Sequence, residues 1–215
     1  MNPRSEIERL KEYYINIKRI GDEFKDDLEF IDQFIQNLDL NKNAKVLDIG
    51  TGFGIMAILL GLHGYNILTG EPEVKPERES WSTHNHENHG EHHEHFTFDW
   101  RDIAKEFKVE DKIIFQYLNA EKLDFPNSFF DGIFMYDTFQ HIQNKDRAIE
   151  ECVRILRPYR SIYIIETNEN GIKFYQDNYG FLIKLVDPRH FIKDLDLSIE
   201  LEVGRYMNGY ILSKF

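Results

Sequence analysis

A single cysteine, Cys152, among 215 residues excludes an internal disulfide and a thiolate cage for a metal. It falls within the helical pattern of residues 147–156, where a small apolar side chain is expected to be buried. The chain also lacks any apolar stretch near the roughly 18–20 residues that a membrane span needs, and its first residues are charged rather than signal-like. A soluble, cytoplasmic protein with no membrane partner is expected. Positive charge is in deficit: 26 Lys and Arg against 38 Asp and Glu give a formal charge of −12, a surface that repels nucleic-acid phosphates. No internal repeat is evident, and the length suits one domain. We expect that domain to span residues 1–215, with two amphipathic helices in residues 1–40 and a histidine-rich loop insertion at residues 73–97.

What the chain does contain is organised around Val46-Leu47-Asp48-Ile49-Gly50-Thr51-Gly52-Phe53-Gly54, followed by an apolar run at residues 55–62. An apolar segment ends in an acid, three alternate glycines turn the backbone, and helix formers follow. The pattern predicts a strand, a tight loop and a helix whose first N–H groups favour an anionic group. Glycine permits positive φ and lets a ligand approach without a Cβ in its path. The spacing is G-x-G-x-G rather than the G-x-G-x-x-G of dinucleotide enzymes. It resembles motif I of the class I S-adenosylmethionine-dependent methyltransferases. That resemblance implies cofactor contacts from Asp48, near the methionine end, and from Gly50, Thr51 and Gly52 beneath it.

Residues 65–72 read as a second strand closing on Glu71 and Pro72. About twenty residues beyond a glycine loop, a carboxylate on the neighbouring strand accepts hydrogen bonds from ribose hydroxyls, so Glu71 is the expected ribose residue. The polar segment that follows holds six of the nine histidines: His84, His86, His89, His92, His93 and His95. Imidazoles at this density bind divalent metals, but the spacing matches no fixed motif. A specific metal site, adventitious divalent-metal affinity and a solvated loop all stand at this stage.

Residues 112–118 read as a third strand. The segment Asn119-Ala120-Glu121-Lys122-Leu123-Asp124-Phe125-Pro126 is similar to the stretch that holds adenine in this methyltransferase family, with Asn119 where an aspartate is commoner. An amide carbonyl still accepts from the adenine amino group. Residues 127–137 read as a turn and a fourth, apolar strand at the centre of a parallel sheet, closing on Tyr136-Asp137-Thr138-Phe139-Gln140-His141. The resemblance puts Tyr136 beside the cofactor and Asp137 and His141 nearest the reacting methyl. If the reaction uses a general base, His141 comes first, because an ordinary imidazole pKa near 6.5 suits proton removal at neutral pH; Asp137 comes second. Shaping the pocket is the alternative role for both.

A helix is expected at residues 146–156, a fifth strand at residues 161–167 after a turn at Pro158-Tyr159-Arg160, and a helix within residues 168–186. Asp187-Pro188 reads as a helix start. Two final strands, residues 197–206 and 210–215, flank a hairpin turn at Met207-Asn208-Gly209. The expected fold is α/β and Rossmann-like: a mostly parallel seven-stranded sheet with helices on both faces and a C-terminal antiparallel hairpin, as in class I methyltransferases. The implied cofactor is S-adenosylmethionine, with S-adenosylhomocysteine as product. The expected acceptor is a small molecule, since the charge disfavours nucleic acid and one cysteine disfavours arsenite. Two other readings stand beside this one. They are a cofactor-binding protein with a metal-sensing histidine loop and a nicotinamide-dependent oxidoreductase.

Overall fold

A computed structural model describes residues 3–16, 24–72, 99–180, 182–193 and 195–215. Two helices open the chain, α1 (Pro3–Asn16) and α2 (Phe24–Gln36). The six-histidine segment, and residues 17–23 within the span of the two expected N-terminal helices, lie outside the described residues.

The sheet contains seven strands: β1 (Lys45–Ile49), β2 (Asn66–Gly70), β3 (Ile113–Phe115), β4 (Phe130–Tyr136), β5 (Leu156–Thr167), β6 (Leu197–Val203) and β7 (Met207–Lys214). Their order is β3-β2-β1-β4-β5-β7-β6. The first five are parallel neighbours, and β7 runs antiparallel to both β5 and β6. Chain order reverses direction between β1 and β4. The carboxyl ends of those two strands therefore form the crevice where open α/β sheets receive ligands. The antiparallel ending also separates this fold from dinucleotide oxidoreductases that continue in βα units.

Helices α3 (Ile55–Leu62), α4 (Trp100–Glu106), α5 (Lys145–Ile155) and α6 (Glu169–Tyr179) complete the layers. β4 is apolar along most of its length because both faces are covered: Phe134 stacks on Tyr163 at 4.6 Å in the cluster beneath α2, while Ile133 and Met135 pack in the cluster containing α5 and Cys152.

Two expectations are corrected. No turn separates α5 from the fifth strand; β5 begins at Leu156, and the backbone excursion at Tyr159 (φ 60°) is absorbed as an irregularity in its pairing with β4. The C-terminal turn is not at residues 207–209, which belong to β7; it is at residues 204–206, closed by the Gly204 amide donating to the Met207 carbonyl at 2.8 Å. Gly209 serves packing rather than a turn: a Cβ there would lie 2.5 Å from the Phe34 ring of α2. Glycine inside a strand commonly marks such a close approach.

Candidate active site

The loop after β1 is held open from below. Asp48 is fully buried, and its Oδ2 accepts from the Thr69 hydroxyl at 2.7 Å, while Thr69 and Thr51 hydroxyls lie 2.9 Å apart. Its Oδ1 has no hydrogen-bond partner among the described residues. Burial raises Asp48 to about 7; the Thr69 bond opposes this and the charge of Glu71 adds to it. A buried carboxylate oxygen without a donor is costly unless a ligand or water supplies one.

The three glycines have different tasks. A Cβ on Gly50 (φ 92°) would lie 2.1 Å from the Thr138 hydroxyl, and one on Gly54 (φ 76°) would lie 2.7 Å from Trp100. Those two are filled against protein. Gly52 (φ 46°) has nothing within 4 Å of the place a Cβ would take, so it forms the open floor of the loop. Tyr14 of α1 reaches over from outside: it is buried, and its hydroxyl donates to the Phe53 carbonyl at 2.8 Å.

Glu71 follows β2 directly and is half-buried. Burial raises its pKa, while the Gly52 amide that it accepts from and the Arg101 charge oppose the rise. The acid therefore clips the glycine loop as well as facing the crevice. Pro72 is exposed beside it. The Leu118 amide donates to the Glu71 carbonyl at 3.0 Å, leading into the turn at Asn119. There the Asn119 Oδ1 accepts from the Glu121 amide at 2.9 Å, and Glu121 Oε1 accepts from the Asn144 amide at 3.1 Å; Ala120 is buried between them. The oxygen that the resemblance assigns to adenine thus closes its own turn, and its second lone pair is what remains for a ligand. Arg154 braces the same stretch, donating to the Leu123 and Phe125 carbonyls at 2.6 and 2.7 Å. Its pairing with Glu151 holds that acid down at about 2, against the effect of burial.

At the end of β4, Asp137 adopts φ 49°, rare for a side-chain-bearing residue. Its amide donates to the Ile165 carbonyl at 2.9 Å, and its Oδ1 accepts from Gln140 at 2.6 Å and Thr167 at 3.3 Å. The residue reaches solvent, yet the rim around its carboxyl is dense in protein atoms; this desolvation raises its pKa, and the His141 charge partly offsets it. His141 is exposed on the short 3₁₀ turn Phe139–His141.

Sequence reasoning missed Glu166. It is buried at the end of β5, and its Oε1 accepts from the Phe139 amide at 2.6 Å. Burial and the Asp137 charge raise it to about 8, opposed by the amides of Phe139, Gln140 and Thr138. Its signal was an acid ending the apolar run Ile162-Tyr163-Ile164-Ile165. It anchors the turn that carries His141.

The structure thus gathers Asp48, Gly50, Thr51, Gly52 and Glu71 at one lip of the crevice and Tyr136, Asp137 and His141 at the other, joined where Thr138 packs under Gly50. A hollow of about 590 Å³ lined by Glu121, Asn144, Lys145 and Phe191 includes none of these residues; of the expected cofactor contacts it touches only Glu121. Among the described residues, no group of three or more His, Cys, Asp or Glu side chains is placed to hold a metal ion. No described helix is long and apolar enough to cross a membrane.

This strand order, with its glycine loop at the reversal point, defines the class I S-adenosylmethionine-dependent methyltransferases. The sequence profile described as "Methyltransferase domain" matches residues 22–194, and the chain belongs to that family. It is 24% identical over 165 residues to a phosphoethanolamine N-methyltransferase of Plasmodium falciparum, covering 73% of this chain and 52% of that one. It is 26% identical over 129 residues to the 27-O-demethylrifamycin SV methyltransferase of Amycolatopsis mediterranei, covering 59% and 40%. The chain therefore spans about half or less of the length of these curated relatives. A solved methyltransferase from Aquifex aeolicus shares the fold with a TM-score of 0.57 at 17% identity, covering 85% of this chain and 88% of that one.

Proposed function

We propose that the protein transfers a methyl group from S-adenosylmethionine to a small-molecule acceptor, and that residues 1–215 act as one domain. The observation that carries this reading is the combination of an open floor at Gly52 with a buried Asp48 oxygen that lacks a donor among the described residues. An adjacent cationic or N–H-bearing group of the cofactor satisfies that oxygen. When bound, S-adenosylmethionine supplies an electrophilic methyl carbon. The chain's part is placement: Glu71 accepts from the ribose hydroxyls, the backbone at Asn119–Glu121 borders the adenine, and Tyr136 flanks the methyl end.

A displacement of this kind requires nucleophile and methyl carbon held near 3–3.5 Å and in line, which is worth several orders of magnitude without any further catalyst. His141 and Asp137 are the groups in reach of a proton on the acceptor. Two relatives whose names give small-molecule acceptors, phosphoethanolamine and a rifamycin, support a small acceptor here.

Calorimetric titration tests the reading. S-adenosylhomocysteine is expected to bind one per chain while NAD does not. Binding of NAD in preference to S-adenosylhomocysteine would restore the oxidoreductase alternative.

A further inference from the structure

Asp48 is fully buried, opposite Thr69 of β2 and Phe134 of β4 in the sheet. Leu47 and Ile49 belong to the cluster with α5, whereas Val46, Ile67 and Phe134 belong to the cluster with α3. Strand alternation therefore turns Asp48 and Thr69 toward α3. That helix, Ile55–Leu62, carries no ionisable residue. The Thr69 hydroxyl donates to Oδ2 at 2.7 Å, and Oδ1 has no hydrogen-bond partner among the described residues.

The elements packed around it do not compensate a charge there. Beyond the end of β2 stands Glu71, a second acid, whose charge bears on Asp48, while Arg101 of α4 acts on Glu71. β4 continues past Phe134 to Tyr136 and Asp137, and His141 lies on the turn that follows. α1 and α2 bring four buried ionisable groups to the same layer, Lys11, Tyr14, Asp27 and Asp32. Lys11 pairs with Glu8 at 2.8 Å, Asp32 with His63 at 2.6 Å, and the Tyr14 hydroxyl donates to the Phe53 carbonyl. None of these groups supplies Asp48 Oδ1 with a hydrogen bond. An ionised Asp48 would thus be an enclosed charge with one hydroxyl bond and a like charge nearby. Burial and like charge both disfavour the ionised form of an acid, and a neutral carboxyl costs much less to enclose. The raised value of about 7 follows from the same surroundings. An ammonium brought to Oδ1 reverses the balance, since it supplies an N–H donor and the opposite charge together. A sulfonium has the charge but no hydrogen to donate.

We propose that Asp48 is a proton-exchange site: it holds a proton in the ligand-free protein and loses it to water when the ammonium of the cofactor's amino-acid moiety reaches Oδ1. This rests on the methyltransferase reading above and adds a control of that site by pH. The exchange balances. The Asp48 O–H bond breaks, its electrons stay on the carboxylate, the proton passes to water or buffer, and the ammonium keeps its own protons. S-adenosylhomocysteine carries the same ammonium, so it drives the same exchange, and Asp48 takes a proton back when the product leaves. Acid therefore weakens both ligands by holding the proton on Asp48.

Proton counting by calorimetry tests this without turnover. The full chain is titrated at about pH 6 in buffers of different ionisation enthalpy, once with S-adenosylhomocysteine and once with 5′-methylthioadenosine, which keeps adenine and ribose but has no ammonium. With a folded value of about 7, S-adenosylhomocysteine is expected to release about 0.9 proton per site, and 5′-methylthioadenosine about 0.2 or fewer. The comparison cancels Glu71, because both ligands carry the ribose. Between about pH 6.5 and pH 5.5, S-adenosylhomocysteine is expected to weaken about eightfold more than 5′-methylthioadenosine does. Asp48→Asn is expected to bind S-adenosylhomocysteine with about 0.2 proton released or fewer; should it bind too weakly to titrate, the two ligands on the wild type decide alone. Binding of S-adenosylhomocysteine to the wild type without proton release overturns this proposal and leaves the methyltransferase reading standing. Equal release with the two ligands, or release undiminished in Asp48→Asn, does the same. Failure of the wild type to bind S-adenosylhomocysteine overturns the methyltransferase reading and this proposal with it.

Discussion

Gly50 and Gly52 lie two residues apart with similar backbone hands, yet substitution should separate fold from ligand binding. At Gly50 an added methyl meets the Thr138 hydroxyl at 2.1 Å, its Cγ2 at 2.5 Å and its Cβ at 2.8 Å. Because the Cβ itself is too close, no rotation of Thr138 relieves the contact. The positive φ adds roughly 1–2 kcal/mol for an L side chain, and overpacking a filled site adds roughly 1–3 kcal/mol. Gly50→Ala is therefore expected to lose about 2–5 kcal/mol of stability without any ligand present. At Gly52 only the backbone cost applies, since nothing lies within 4 Å of the new Cβ. Gly52→Val is expected to lose about 1–2 kcal/mol and to remain folded, while its branched side chain fills the floor and abolishes binding of S-adenosylhomocysteine. Urea denaturation of the ligand-free variants measures the first quantity and calorimetry the second. Two outcomes refute the reasoning: Gly52→Val as unstable as Gly50→Ala, or Gly52→Val folded with wild-type affinity.

Three further outcomes follow from the same geometry. Glu71→Ala is expected to weaken S-adenosylhomocysteine by roughly 1.5–3 kcal/mol, the usual scale for hydrogen bonds to a charged group; an unchanged dissociation constant removes Glu71 from the ribose. Asp48, at about 7 when folded, and Glu166, at about 8, both lie above the ordinary carboxyl range. Their contribution to stability is complete below the unfolded pKa near 4 and is lost as pH rises through the folded values. The ligand-free urea midpoint should then fall between about pH 5 and pH 8, and Asp48→Asn should flatten that fall; an equal fall in the variant contradicts the assignment. Glu151 has the opposite sign: its folded pKa of about 2 gives stability that is present above the ordinary value and lost as pH drops toward 2. Glu151→Ala, which leaves Arg154 partly buried without its acid, should cost about 3 kcal/mol in urea denaturation.

Much of the sheet was legible because its strands carry their own signals. β4 is a largely apolar run, interrupted by Asp131 and closed by Tyr136-Asp137, and β1 is an apolar run closed by Asp48 and the glycines. The errors arose where a local signal served a distant partner. Asn208-Gly209 has the composition of a hairpin turn, but Gly209 is bare of side chain to admit Phe34 of α2, a contact nearly the whole chain apart in sequence. The stretch Leu156-Arg157-Pro158-Tyr159-Arg160 reads as a helix stop and turn. Pairing of Leu156 with Phe130 and of Ser161 with Gly132 instead draws it into the sheet. The cofactor lip could be listed from consecutive letters because one loop supplies most of it. Glu166 could not, since its place under the Phe139 turn depends on β5 lying beside β4 in the sheet.

That difference bears on how the two lips work together. The glycine-loop lip and the lip at residues 136–141 touch through Thr138, whose hydroxyl donates to the Tyr136 carbonyl at 2.9 Å and whose side chain fills the space under Gly50. Thr138 is flanked by Asp137 and by Phe139, whose amide Glu166 holds. A displacement at the Gly50 turn is therefore passed to Asp137 through hard contacts rather than through a flexible linker. Methyl transfer is sensitive to such displacement, since a misplacement of about 1 Å costs on the order of a hundredfold in rate. Glu166, which touches neither lip's expected ligand, is on this view a positioning residue. Its burial at the cost of a raised pKa is compensated by the backbone amides that it orders. The acid that sequence reading missed thus fixes the turn that follows Asp137 and carries His141.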